Sequence, residues 1–600
     1  MKPTIAILDR IKENSKNNKE EIFTRLYRYM LRPDLYHIAY KNLYANKGAG
    51  TKGVDNDTAD GFSQEKIEKI IQGLSDETYA PKPVRREYIA KKGNPKKRNA
   101  KKRPLGIPTF TDKLVQEVLR MILESIYEPT FSNYSHGFRP DRSCHTALTS
   151  LKKEFTGASW FIEGDIRACF DSIDHQTLIG IIGSKIKDAR LIKLLWKFLK
   201  AGYMEDWRYH STHSGCPQGG IVSPILSNIY LNELDKFASK TAKEFYKSKD
   251  RFNNPEYDRI SYIIAKTKKQ AETTKGYEKT ELLKQLKTLK AQKRKTPASS
   301  KTDKVLKYIR YADDFIIGVK GDMEDCKRIK QMFSDFISQS LKMELSDEKT
   351  LITHSNQYAR FLGYDVRVRR ESKVKPNGKR KMRTLNYKVE LNVPFDDKIM
   401  PFLFDKAAIG QTTDGKIEPR ARRYMYRCSS LEIVTTYNSE LRGICNYYSI
   451  ASNFTRLNYF AYLMEYSCLK TLAGKHDSTT RKMYREFRDG NGSWGIPYST
   501  AKGEKRCVFA SYTDCKNSDY FTDVITEHAI LHSTAKTTLE ERLSAKTCEL
   551  CGQENVPLEI HHVNKVKNLK GKKKWEMVMI AKRRKTLAVC KGCHHSIHHP

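Results

Sequence analysis

Lys307-Tyr308-Ile309-Arg310-Tyr311-Ala312-Asp313-Asp314-Phe315-Ile316-Ile317-Gly318-Val319 sets two β-prone runs around a pair of adjacent acids, a pattern that predicts a hairpin with Asp313 and Asp314 at its turn. Most Asp-Asp pairs are merely solvated turns. A third acid argues otherwise, because Asp165 closes another hydrophobic run, Trp160-Phe161-Ile162-Glu163-Gly164-Asp165. Three carboxylates at the ends of neighbouring strands repel one another by about 4 kcal/mol per pair at ~4 Å in a protein-like dielectric. Divalent cations relieve that repulsion, and hard oxygen ligands suit Mg²⁺ bound through a few carboxylates plus substrate phosphates. Such a site can hold two ions about 4 Å apart, clamping the attacking and leaving oxygens of an in-line phosphoryl displacement.

The charge of the whole chain points to the same class of partner. Over 600 residues, 110 Lys and Arg face 70 Asp and Glu, which leaves a formal charge of +40. Only a polyphosphate calls for such a field, so nucleic acid is the expected partner. The length exceeds one core and suggests roughly three to five domains, and 39% hydrophobic residues are enough to build them. Of thirteen cysteines only four form pairs at metal spacing, which suits a reducing interior. No apolar run approaches the ~18 residues of a membrane span, and Met1 to Arg10 lacks the apolar segment of a signal peptide. The expectation is a soluble intracellular protein without a membrane partner.

Tyr311-Ala312-Asp313-Asp314 resembles the YxDD box of reverse transcriptases, and Asp165-Ile166-Arg167-Ala168-Cys169-Phe170 resembles the palm motif that precedes it. Ser214-Gly215-Cys216-Pro217-Gln218-Gly219-Gly220-Ile221-Val222-Ser223-Pro224 resembles their PQGxxxSP box. The run from Lys91 through Arg103 to Pro108 resembles the fingers motif of group II intron reverse transcriptases. Tyr437-Asn438-Ser439-Glu440-Leu441-Arg442-Gly443-Ile444-Cys445-Asn446-Tyr447-Tyr448 resembles domain X, their maturase region. Retron and retroviral enzymes lack this region. The chain is therefore similar to group II intron-encoded proteins along its whole length.

That resemblance implies an α+β multidomain fold: a right-hand polymerase with fingers and an antiparallel palm sheet, an α-helical thumb, and a small Zn-containing ββα module. It divides the chain into residues 1–375 (fingers and palm with an amino-terminal extension), 376–485 (domain X), 486–540 (a DNA-binding region) and 541–600 (an HNH endonuclease). A basic insertion over 240–304 holds nineteen Lys and Arg against eight Asp and Glu and reads as a solvated helix pair or flexible insert. In the palm the resemblance implies Mg²⁺ on Asp165, Asp313 and Asp314, and Lys91 and Arg103 on the incoming triphosphate. Phe170 would exclude a 2′-hydroxyl, Gln218 would hold nucleotide or template, and Lys349 would protonate the pyrophosphate leaving group. Arg139 is a candidate template contact; His136 and His145 read as structural. On the outer face of domain X, Arg442, Tyr447 and Arg456 are candidate RNA contacts.

Cys548-x₂-Cys551 and Cys590-x₂-Cys593 give four thiolates at the spacing of structural tetrahedral Zn²⁺. A zinc ribbon has no need of Glu559-Ile560-His561-His562 or Cys593-His594-His595-Ser596-Ile597-His598. An HNH nuclease does, with one His activating water and others holding a single metal beside the scissile phosphate. His562 is assigned as base, and His561 and His594 as ligands of a nuclease metal, Mg²⁺. Thr586 stands where such modules carry an asparagine; Asn564 or Asn568 would have to substitute.

The implied activities are three: folding of the intron RNA as a maturase, nicking of double-stranded target DNA, and RNA-directed DNA synthesis from dNTPs. The setting would be a bacterial cytoplasm, with nucleoid association during action on DNA. Two other readings compete. A splicing-only cofactor with a vestigial polymerase is disfavoured by the intact acids, and a non-intron reverse transcriptase by domain X together with the HNH module.

Overall fold

Strands Val305–Tyr311 and Asp314–Lys320 pair antiparallel with Tyr311 opposite Asp314, so Ala312 and Asp313 alone make the turn. Ala312 takes a left-handed backbone, φ +56°. Trp160–Asp165 pairs along the far side of Asp314–Lys320 in a register that sets Asp165 opposite Asp314 and Phe315 opposite Gly164. A Cβ at Gly164 would run into the Phe315 ring, which is the reason a glycine stands beside the acid. Ile352–His354 completes a four-stranded antiparallel sheet.

The computed structural model describes residues 4–46, 48–90, 102–216, 219–246, 251–296, 299–301, 304–370, 374–377, 380–383, 386–490, 492–500, 503–515, 538–582 and 584–599. Side chains alternate across a strand, and here both faces of the sheet are buried. Ile162, Tyr308 and Ile317 enter one core with the amino-terminal helices and with Phe110–Tyr127, Ser223–Phe245 and Met323–Gln339. Phe161, Ile309 and Ile316 enter a second core with Cys144–Glu154 and the thumb. The supporting helices start where their sequences say they should. Thr109 caps Phe110–Tyr127 by accepting the Asp112 N–H, and Asp322 closes a capping box over Met323–Gln339.

A second four-stranded sheet runs in the order Lys102–Ile107, Val84–Ala90, Tyr203–Glu205 and Arg208–His210, and includes the stretch where fingers strands are expected. The basic insertion is a hairpin of helices Pro255–Thr273 and Tyr277–Lys295. Its first residues differ from the expected boundary, because Ser223–Phe245 continues through them as one helix. Phe245 is buried in the palm core.

Two further boundaries move. The composition of Val368 to Arg383, basic and containing Gly and Pro, predicts a linker at the boundary near 375, yet Val368 itself ends the strand Tyr364–Val368, which pairs with Val389–Asn392 beyond that stretch. Val389 and Leu391 are buried and bind the two parts into one sheet. The helices of the maturase region, where a thumb is expected, are Met400–Asp405, Ser430–Tyr447, Leu457–Lys475 and Thr480–Phe487. The hairpin Gly495–Thr500 with Gly503–Val508 was expected in a separate DNA-binding region but packs on the thumb. Trp494 is buried there, stacked on Phe509 at 5.0 Å, with Nε1 donating to Glu465 at 2.9 Å.

The carboxyl-terminal module has the expected ββα form, Leu558–His562, Thr586–Cys590 and Lys591–His598. A third strand comes from far away in sequence: Phe62–Ser63 pairs antiparallel with Leu558–His562. Among the described residues no helix is long and apolar enough to cross a membrane.

Candidate active sites and metal centres

The palm register brings Asp165, Asp313 and Asp314 together, as the sequence predicts. Burial, then Asp313 and a hydrogen bond to Asp165, push Asp314 up to about 7; burial and Asp165 raise Asp313 as well. Three acids in such a place resist simultaneous ionisation, and a divalent cation removes that conflict. Lys349 Nζ lies 2.7 Å from Asp165 Oδ2, so the expected general acid stands at the acids and carries a pKa raised by that contact. Arg103, exposed on the strand Lys102–Ile107, partly offsets the rise that desolvation imposes on Asp313 and, after Arg86, on the exposed Asp171. Phe170 packs edge-on against Phe138, ring centres 6.1 Å apart. Lys91 and Gln218 lie outside the described residues.

Beneath the turn sits a group the sequence reading missed. Arg310, fully buried, donates to Ala312 O at 2.9 Å and to Asp235 and Ser135 Oγ. Gly137 lets the neighbouring loop pass against the same turn, since a Cβ there would strike the Ala312 backbone. Arg310 was visible only as one more basic residue in a basic chain.

Arg139 is a correction. It is 3% exposed and is consumed by Glu128 and the carbonyls of Ser132 and Ser135, so it serves the loop and not a template. His136 and His145 are structural as expected, bonded to Thr146 Oγ1 and Tyr447 O. In the thumb Arg442 is exposed, and Arg456 lies over the Phe395 ring at 5.1 Å. Tyr447 is a second correction: its hydroxyl donates to Leu362 O at 2.5 Å, so its polar end fastens thumb to palm instead of facing RNA. The open aromatic face is elsewhere, at Tyr459, Tyr462 and Tyr466, all more than 40% exposed along Leu457–Lys475. Their i, i+3, i+7 spacing put them on one helix face, a signal present in the sequence and passed over.

In the carboxyl-terminal module the Sγ atoms of Cys548, Cys551, Cys590 and Cys593 all lie within 4.8 Å of one another. Burial raises the Cys548 thiol, but N–H groups of Cys551 and Cys590 outweigh it and bring it down to about 6. Burial and its three neighbouring thiols push Cys593 far up. Four clustered thiols of which only some can ionise alone are a donor set for a soft or borderline cation, and Zn²⁺ fits.

A second cluster within the same 4.8 Å limit unites His561, His594, His598 and Asp60. His598 and Asp60 are additions that the sequence reading did not make. Glu559 accepts from His594 Nδ1 at 2.6 Å, which turns His594 Nε2 toward the cluster, the usual carboxylate support of a metal-binding imidazole. Both ring nitrogens of His561 and Nε2 of His594 are buried without a hydrogen-bond partner. Buried imidazole nitrogens without hydrogen bonds, gathered beside one carboxylate, are a donor set that a metal ion would satisfy. His562, the expected base, turns aside to Tyr44 O at 3.1 Å. Neither candidate asparagine joins the cluster: Asn564 packs against Gly50 and Asn568 is exposed. Thr586 faces His562 across the strands and accepts from Arg542.

Comparison with known proteins agrees with this division. Residues 89–253 match the reverse transcriptase (RNA-dependent DNA polymerase) family, 386–539 the type II intron maturase family, and 548–594 the AI2M/AI1M-like HNH endonuclease family. The chain is 59% identical over 602 residues to the group II intron-encoded protein LtrA of Lactococcus lactis subsp. cremoris, covering 100% of both. This chain belongs to the group II intron-encoded proteins. The putative COX1/OXI3 intron 2 protein of Saccharomyces cerevisiae is 32% identical over 98% of this chain and 68% of its own length. Like its relatives, this group II intron-encoded protein joins an RNA-directed DNA polymerase, a maturase that binds intron RNA, and an HNH DNA endonuclease in one chain.

Proposed function

We propose that the polymerase reaction of this group II intron-encoded protein runs on Mg²⁺ held by Asp165, Asp313 and Asp314, with dNTPs as substrate. The reading rests above all on the register that faces Asp165 with Asp314. Bound there, the ions would supply positive charge to the attacking 3′-oxygen and the departing pyrophosphate. Lys349, released from Asp165, protonates the leaving pyrophosphate. Arg103 steadies the triphosphate by charge, and Phe170 closes the sugar pocket against a 2′-hydroxyl.

Cys548, Cys551, Cys590 and Cys593 would hold Zn²⁺, which would tie the nuclease hairpin together. The histidine cluster holds the nicking metal, and the cut in double-stranded target DNA provides the primer. The thumb carries the intron RNA, with Arg442, Arg456 and the exposed tyrosines of Leu457–Lys475 along its backbone. These DNA steps place the protein at the nucleoid of a bacterial cell.

One preparation assayed three ways tests the division of labour. Asp314→Ala should abolish cDNA synthesis and spare splicing and nicking; His594→Ala should abolish nicking alone. Loss of splicing together with cDNA synthesis in Asp314→Ala would overturn it.

A further inference from the structure

One of the four donors in the nuclease cluster comes from outside the nuclease. Asp60 lies just before the Phe62–Ser63 strand, which extends the nuclease sheet with Phe62 opposite Ile560 and Ser63 opposite Glu559. The seam is built and not incidental. Phe62 is fully buried and stacks on Tyr40 at 4.0 Å, Gly61 N–H donates to Ile560 O, and Lys591 pairs with Glu65 at 2.7 Å.

This seam aims the Asp60 carboxylate into the histidines. Oδ1 accepts the His562 backbone N–H at 2.6 Å. Oδ2 lies 2.7 Å from His598 Nε2 and 3.3 Å from His594 Nε2, and Oδ1 lies 3.2 Å from His561 Nδ1. Among the described residues its only ion-pair partners are these three imidazoles. A simple latch of protonated histidines would use good hydrogen bonds, yet His561 Nδ1 and His594 Nε2 face the carboxylate without hydrogen-bond geometry. One ligand atom from each of Asp60, His561, His594 and His598 lies within 4.8 Å of every other. Three imidazoles alone form a borderline donor set, and a carboxylate adds the anionic oxygen that hard divalent cations prefer.

The same amino-terminal region also fixes the tautomer of His562. The Tyr44 carbonyl can only accept, so His562 Nε2 carries the proton and Nδ1 is left with the lone pair.

We propose that Asp60 is a ligand of the nuclease cation, donated by the polymerase half of the chain, so that the nicking site is complete only while the amino-terminal segment is docked. The proposal rests on the histidine cluster being the nuclease metal site, and its test separates the two. Mn²⁺ binding to the full-length protein is titrated by electron paramagnetic resonance in wild type, Asp60→Asn, Asp60→Ala, Asp60→Glu, His594→Ala and Asp313→Ala/Asp314→Ala. Far-UV circular dichroism checks that each variant is folded.

His594→Ala should remove one class of Mn²⁺ site, and Asp60→Asn and Asp60→Ala should weaken that same class about tenfold or more. Asp60→Glu should recover part of it, and the class lost in Asp313→Ala/Asp314→Ala should stay at wild-type affinity. If His594→Ala removes the class while the Asp60 variants bind within twofold of wild type, Asp60 is only a latch. Faster nicking by Asp60→Ala would make it a plug, which also overturns the proposal. Intact Mn²⁺ binding in His594→Ala would sink the nuclease metal reading itself, and Asp60's role with it.

Discussion

Arg310 and Asp235 form a fully buried ion pair beneath the acidic turn, with Nη2 to Oδ2 at 2.6 Å and both side chains 0% exposed. Because the same guanidinium donates to Ala312 O and Ser135 Oγ, it ties the turn to the Ser223–Phe245 helix and to the loop that crosses it. Removing one partner strands the other charge in the core. Arg310→Met should therefore cost about 3–5 kcal/mol in a urea titration. Arg310→Met/Asp235→Leu should regain much of that stability but no cDNA synthesis, since nothing then holds the Ala312 carbonyl. A double variant that polymerises normally would show the pair to be mere packing.

Asp314 gives the palm a pH signature. Its folded pKa is raised to about 7, so the folded protein holds the proton more tightly than the unfolded chain. The associated stability is full below the ordinary carboxylate pKa of about 4 and is lost as pH rises from there through about 7. In chelator, Asp314→Asn should be more stable than wild type at pH 8, by up to about 4 kcal/mol, and equal to it near pH 4. Added Mg²⁺ should narrow the gap at pH 8 by stabilising wild type. A gap independent of both pH and Mg²⁺ would contradict the cation reading.

What the sequence made legible was local. The tyrosine-acid box, the strand ending in Asp165 and the two cysteine pairs each lie within a few residues, and short-range spacing encodes their geometry directly. Long-range partners were not legible. Nothing near Asp60 announces that it meets a histidine 502 positions away, and a lone Asp after Ala59 looks like any loop acid. Asp235 lies mid-helix, where only the fold reveals that Arg310 reaches it. Boundaries failed for a related reason. Composition marks 368–383 as basic linker, but the pairing of Tyr364–Val368 with Val389–Asn392 around it is something composition does not encode.

The four-cysteine centre should be separable from the polymerase. Cys593→Ser, or exhaustive chelation, should lower the unfolding temperature of the nuclease module and abolish nicking, because thiolates this close repel once the cation is gone. In Cys593→Ser, zinc content by elemental analysis should fall by one per chain while cDNA synthesis in Mg²⁺ persists. Unchanged zinc content in Cys593→Ser would remove the cysteine from the centre.

Tyr459, Tyr462 and Tyr466 form an open ladder, with successive ring centres 6.3 and 4.6 Å apart. Exposed rings contribute little to the core, so their alanine variants should melt with wild type. Each should weaken binding of intron RNA by about 1–3 kcal/mol if a base stacks on it. Filter binding at fixed salt checks this, and three variants with wild-type affinity would move the RNA face off this helix.

Anomalous diffraction from Mn²⁺ in a complex with an RNA template, a DNA primer and an incoming dNTP addresses the polymerase centre directly. Density is expected within coordination distance of Asp165 and of the Asp313-Asp314 turn at once, with Lys349 moved from Asp165 toward the triphosphate. A complex in which Asp165 keeps its Lys349 contact and shares no cation with the turn would contradict it.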